Sequence, residues 1–245
     1  MTELIAGCLY RLTGDKEGGH HNSYALINDR REIMLFDGIM PQAIPAISAI
    51  LGINNLIGVI LTHRHIPAIV GREGIEEWRA RFGKDVPFFL SISEASHRSA
   101  MEALPLYDKY IDPVNNRILT EFGIETIPFP GHTQGSCLFY HQDKQMIFTG
   151  DCATGPGGTF RSGQDKWVRP PNNLSEDDER LRSNWKNFLK SSGGQFFGGR
   201  SVRSVIPGHG ECIIDQDQDH IDQLLLNLTT DQLTPNLNVS SMRSE

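Results

Sequence analysis

No apolar run in this 245-residue chain approaches the length of a membrane-spanning helix. Basic residues are outnumbered, with 23 Lys and Arg against 30 Asp and Glu and a net charge of -7. That balance excludes the cationic surface on which nucleic-acid affinity rests. Cysteines are few and far apart: Cys8, Cys137, Cys152 and Cys212 form no C-x-x-C pair, so reduced thiols are expected rather than a disulfide framework. The first residues lack the basic start and apolar stretch of a secretory signal, so a cytoplasmic location is expected. Gly155-Pro156-Gly157-Gly158 lacks the Gly-Lys-Ser/Thr ending of a phosphate-binding loop. Internal repeats are absent as well.

What remains is an ordinary globular composition, 38% hydrophobic and 22% charged, long enough to bury a sizeable core. One domain over 1–228 is expected, with a polar, mobile tail over 229–245. Residues 24–28 and 32–36 read as strands joined at Asp29-Arg30, and the continuous apolar run 56–61 as a strand buried on both faces. Helices are expected over 41–50, over 73–81, over 93–104 with Ser93 as N-cap, over 175–190 with Ser175 as N-cap, and over 219–228. Further strands are expected over 87–90, 124–128, 137–141, 145–149 and 204–206. Residues 153–173, rich in Gly, Pro and Asn, read as a long loop bordering any active site.

The chemistry-bearing residues sit where these elements end. His63 and His65 follow the buried strand 56–61. An i, i+2 pair can share one cation only if the backbone turns there, which Ile66-Pro67 is expected to provide. His132 lies between Gly131 and Thr133, Asp151 ends an apolar strand directly after Gly150, and His209 stands between two glycines after Pro207. Each is expected at the carboxyl edge of a sheet, where the ligands of α/β sites gather. Three imidazoles and a carboxylate are donors that a borderline cation such as zinc accepts.

With these motifs in place the chain resembles the metallo-β-lactamase-fold superfamily of metal-dependent hydrolases, in particular its glyoxalase II-like and lactonase-like branch. The pattern T-H-x-H-x-D-H-x-G-G aligns without gaps on Thr62 to Gly71, G-H-T-x-G-S on Gly131 to Ser136, G-D on Gly150-Asp151 and P-G-H-G on Pro207 to Gly210. The resemblance implies an α/β fold, an αββα sandwich of two mixed sheets flanked by helices. It implies a first metal site of His63, His65 and His132, with Asp151 as the ligand that bridges to a second. In that second site Pro67 and Ala68 stand where the family has an Asp and a His, leaving Asp151 and His209. Pro67 is also expected to push Ile66 toward extended backbone.

The resulting expectation is a mononuclear hydrolase of a small ester, thioester or lactone, holding one divalent cation. Zinc is favoured, and iron and manganese are compatible with the donors. Asp151 positions the attacking water and His209 binds substrate or carries a proton. A mononuclear iron dioxygenase of sulfur compounds, built on two His and one Asp, is the alternative, and a non-catalytic scaffold the third. The expected partner is a small-molecule substrate, with no nucleic acid or membrane, and a homodimer on general frequency alone. His20-His21 reads as part of a polar Gly-rich turn, with replacement of a missing ligand as the less favoured reading. Cys152 reads as a small buried side chain and His97 as a surface residue. Lys166, Trp167 and Arg169 are candidates for contact with an anionic substrate.

Overall fold

The computed structural model describes residues 1–13, 21–51, 54–103, 110–158, 165–190 and 199–231. The expectations for His20, Leu104, the middle of the 153–173 loop and the tail beyond residue 231 fall outside them. Strands β1 (Thr2–Ile5), β2 (Leu9–Thr13), β3 (Ser23–Ile27), β4 (Glu32–Phe36), β5 (Asn55–Ile60) and β6 (Phe88–Phe89) form one sheet in that order. The first three pairings are antiparallel and the last two parallel. Strands β7 (Ile124–Pro128), β8 (Cys137–His141), β9 (Met146–Thr154) and β10 (Ser204–His209) form a second sheet, parallel only between β9 and β10.

The period-two alternation of strand side chains sorts these residues into three cores. Tyr24, Leu26, Met34, Phe36 and Ile60 from the first sheet meet Phe139, Met146, Phe148 and Ile206 from the second. Phe36 lies flat on Phe148 at a centroid separation of 3.6 Å, which ties the sheets face to face. The alternate residues point outward. Ala25, Ile33, Leu35 and Val59 pack under α1 (Ile44–Ile50), α2 (His65–Phe82) and the short helices α3 (Ile92–Ala95) and α4 (Arg98–Ala103). Leu138, Ile147 and Val205 pack under α6 (Asp178–Leu189) and α7 (Gln218–Leu225), while α5 (Arg117–Glu121) leads into β7. The sequence of layers is α, β, β, α. No described helix is long and apolar enough to cross a membrane.

Several boundaries differ from expectation for local reasons. Pro41–Ala43 is a 3-10 turn ahead of α1. Ser91, not Ser93, caps α3, its hydroxyl accepting from the Glu94 N–H, and a break at Ser96-His97 separates α3 from α4 with His97 exposed. Asp177, not Ser175, caps α6, and Asp217 caps α7. A 3-10 helix, Leu226–Thr229, follows α7 and buries Leu228, so the chain stays attached past the expected tail boundary. β9 does not end at Thr149 but runs buried through Asp151 to Thr154, passing Gly150 at φ 49°.

The substrate-contact expectation for Trp167 and Arg169 is overturned. Both are 1% exposed. Arg169 donates from Nε and Nη2 to the two carboxylate oxygens of Asp178 at 2.8 and 2.9 Å, and from Nη1 to the Leu228 carbonyl at 2.6 Å. It thereby ties the loop after β9 to α6 and to the chain end. Arg169→Met is expected to lower stability by roughly 3 kcal/mol, since it leaves Asp178 without its cation. A urea melt measures this, and the metal content per folded chain should not change.

Candidate metal centre

One edge of the paired sheets collects every motif. β5 delivers His63, but the turn comes earlier than Ile66-Pro67, at His63-Arg64. His65 is already the first residue of α2, and Ile66 is helical rather than extended. Pro67 fits because the first turn of a helix needs no N–H from it. The helix kinks at Gly71, which adopts φ 69°. Gly150 brings β9 so close that a Cβ there would lie 2.4 Å from Thr62 Oγ1.

His63, His65 and His132 form one cluster of ligand atoms, all within 4.8 Å of each other. Asp151 stands beside it, with Oδ2 at 3.5 Å from His63 Nε2, 3.8 Å from His132 Nε2 and 3.6 Å from His209 Nε2. The five sequence-nominated donors therefore converge. A residue assigned to a turn joins them. His21 is 5% exposed, its Nε2 lies 3.1 Å from Asp151 Oδ1, and with Asp151 and His209 it makes a second three-donor cluster. The reading of this histidine as part of a polar turn is thus corrected, and the second cluster holds three donors rather than two.

The surrounding shell is held by two buried carboxylates, Asp37 and Glu94. Asp37 Oδ1 and Oδ2 accept from the Thr62 N–H and hydroxyl at 2.8 and 2.9 Å. Thr62 Oγ1 in turn lies 3.0 Å from His63 Nδ1. Glu94, fully buried, accepts from the backbone N–H of Arg64 and of Gly135, both at 2.7 Å, and from the Arg64 guanidinium, which also pairs with Glu176. One carboxylate thus joins the His63–His65 turn to the His132 loop. Cys152 is buried and directs its thiol to the Phe129 carbonyl, away from the donors.

Electrostatics divides the imidazoles. Burial holds His63 well below its ordinary pKa and brings His132 down to about 4. Both are neutral at pH 7, the state that ligates metals. Burial opposes charge on His21 too, but Asp151 and Asp37 prevail and lift it to about 9. Burial alone would raise Asp151, yet His209, His21 and His63 hold it well below the carboxylate range. Burial raises Asp37 to about 6. Among the described residues, His63 Nε2, His132 Nδ1, Asp151 Oδ1 and both His21 nitrogens are buried without a hydrogen-bond partner. Buried polar atoms are seldom left so, and a borderline divalent cation suits this donor set.

No family model matches the chain, and no curated protein matches it in sequence. Solved structures do. The metallo-β-lactamase DIM-1 superposes with a TM-score of 0.60 at 16% identity, covering 85% of this chain and 83% of that one. A metallo-β-lactamase family protein from Thermus thermophilus gives 0.57 at 17% identity, over 93% and 79%. The B3 metallo-β-lactamase BLEG-1 gives 0.52 at 20% identity, over 83% and 92%. The chain has the metallo-β-lactamase fold.

On the metallo-β-lactamase scaffold the buried histidines make the metal-free protein pH-sensitive in both directions. His132, depressed from 6.5 to about 4, contributes stability that is present above pH 6.5 and lost as pH falls through 4, and depressed His63 acts alike. Asp37, raised from 3.8 to about 6, opposes them over that interval but is outnumbered. His21, raised from 6.5 to about 9, contributes stability present below pH 6.5 and lost as pH rises through 9. The melting temperature of chelator-treated protein is therefore expected to peak near pH 6.5 and to fall toward both pH 4.5 and pH 9 in a calorimetric series.

Proposed function

We propose that the protein is a metal-dependent hydrolase of a small neutral ester, thioester or lactone. The carrying observation is the position of His63, His65, His132 and Asp151 at the floor of an apolar cleft of about 630 Å³. Its walls are Met40, Ile66, Ala68, Ile69 and Leu174. None of the described residues lining it is Lys or Arg, and Arg64 is neutralised by Glu94 and Glu176. That lining suits an uncharged acyl group and, among the described residues, offers no lysine or arginine to an anionic one. A second depression, of about 510 Å³ around Arg30, Ile57 and Glu121, contains none of the donors.

A divalent cation held by these residues supplies Lewis acidity for a carbonyl and lowers the pKa of water toward ~7. Asp151, kept ionised by its imidazole neighbours, is a weak base. Its part is to orient the attacking water by accepting a hydrogen bond. With only the first cluster loaded, His209, buried with its Nε2 3.6 Å from Asp151, carries the proton to the leaving group. Ile69, 67% exposed, and Leu174, 41% exposed, grip the apolar part of the substrate and exclude water from it. The motif similarity to glyoxalase II-like and lactonase-like proteins supports the choice of thioesters and lactones, and zinc as the resident ion.

Elemental analysis with a panel of neutral and anionic esters, thioesters and lactones tests this. The purified protein is expected to contain zinc and to turn over neutral members. His132→Ala is expected to lose at least one metal equivalent and at least 100-fold in kcat/KM, of the order of 3 kcal/mol of transition-state stabilisation. Iron with oxygen consumption would support the dioxygenase reading instead, and a metal-free, inert protein the scaffold reading. Ile69→Asp is expected to raise KM for apolar substrates several-fold with a smaller effect on kcat, as removal of a uniform binding contact does.

A further inference from the structure

We propose that His21, Asp151 and His209 form a second cation site, in which His21 takes over from the donors absent at Pro67 and Ala68. The inference extends the metal-hydrolase reading and concerns the number of ions, not the substrate. The three side chains offer ligand atoms within 4.8 Å of each other, and all three are buried. Two imidazoles and a carboxylate form a three-donor set that leaves a cation positions open for water or substrate.

The donors look built for a shared guest rather than for each other. His21 Nε2 approaches Asp151 Oδ1 to 3.1 Å and Asp37 Oδ2 to 3.7 Å, yet among the described residues neither His21 Nε2 nor Asp151 Oδ1 has a hydrogen-bond partner. The His21 and His209 rings stand edge to face with centroids 5.0 Å apart. Asp151 turns Oδ2 toward His63, His132 and His209 and Oδ1 toward His21, so its carboxylate faces both donor clusters.

The backbone is built around the same point. The Asn22 N–H donates to the Gly208 carbonyl at 2.7 Å, and Asn22 Nδ2 donates to the Gly210 carbonyl at 2.9 Å. Tyr24 Oη donates to the Pro207 carbonyl at 2.8 Å, and Thr13 Oγ1 to the His21 carbonyl at 2.9 Å. The first three bonds clamp the segment after His21 against the end of β10 that carries His209, and the last holds His21 to β2. Gly208 keeps the space open: a Cβ there would lie 2.2 Å from Asp151 Oδ1 and 2.6 Å from His21 Nε2. With the donor coming from the β3 side, the α2 side is left to Ala68 and Ile69 as an apolar wall.

The test is a count of ions in chelator-stripped protein re-equilibrated with Zn²⁺ and dialysed, read by elemental analysis and calorimetric titration, with circular dichroism to verify folding. Wild type is expected to hold two zinc ions per chain, and His21→Ala one. Gly208→Ala keeps all three donors and fills the space between them, so it too is expected to hold one. One ion in wild type, lost in His132→Ala, would overturn the second site and leave the hydrolase reading standing. No ion in wild type would sink both. Two ions in folded His21→Ala and folded Gly208→Ala would overturn the assignment of this site to His21.

Discussion

The structure turns on a buried negative charge. Asp151 lies inside β9, 5% exposed, and an ionised carboxylate in such a place must be met by positive charge or by directed donors. Imidazoles meet it from both sheets: His63 from β5, His132 from the loop before β8, His209 from β10 and His21 from the entry to β3. Much of the local backbone serves this meeting. Gly150 lets β9 approach Thr62, Asp37 anchors Thr62, and Glu94 fastens the two histidine loops to each other. The stacked Phe36 and Phe148 hold the sheets behind them in register.

The sandwich was legible because its strands are short apolar runs between turn residues, and because glycines punctuate the motifs at the strand ends. The convergence of His63, His65, His132, Asp151 and His209 was legible for the same reason. His21 was not. The rule that ligands gather at the carboxyl ends of strands holds for parallel neighbours. β3 runs antiparallel to β4, and Tyr24 pairs with Phe36, so its amino end reaches the same edge. A histidine just ahead of a fully buried strand, whose hairpin partner ends in Asp37, was the available signal. Glu94 had none, since its importance arises from loops distant in sequence. Arg169 misled because a cation in a Gly-rich loop looks solvent-facing until a helix closes over it.

Charge is also kept off the cleft. Arg64 directly precedes His65, yet Glu94 and Glu176 turn its guanidinium away from the donors. With it so occupied, the walls above the donors are left to aliphatic groups and the charged chemistry is confined to the floor.

The clamp between Asn22 and Gly210 joins positions 188 residues apart in the chain. This has a consequence for the order in which the molecule matures on the ribosome. Domains assemble from the amino end as synthesis proceeds. The first donor cluster has all its histidines once residue 132 has emerged, whereas the second waits for residue 209. Until then His21 has no counterpart to close against, and that edge of the sandwich stays open.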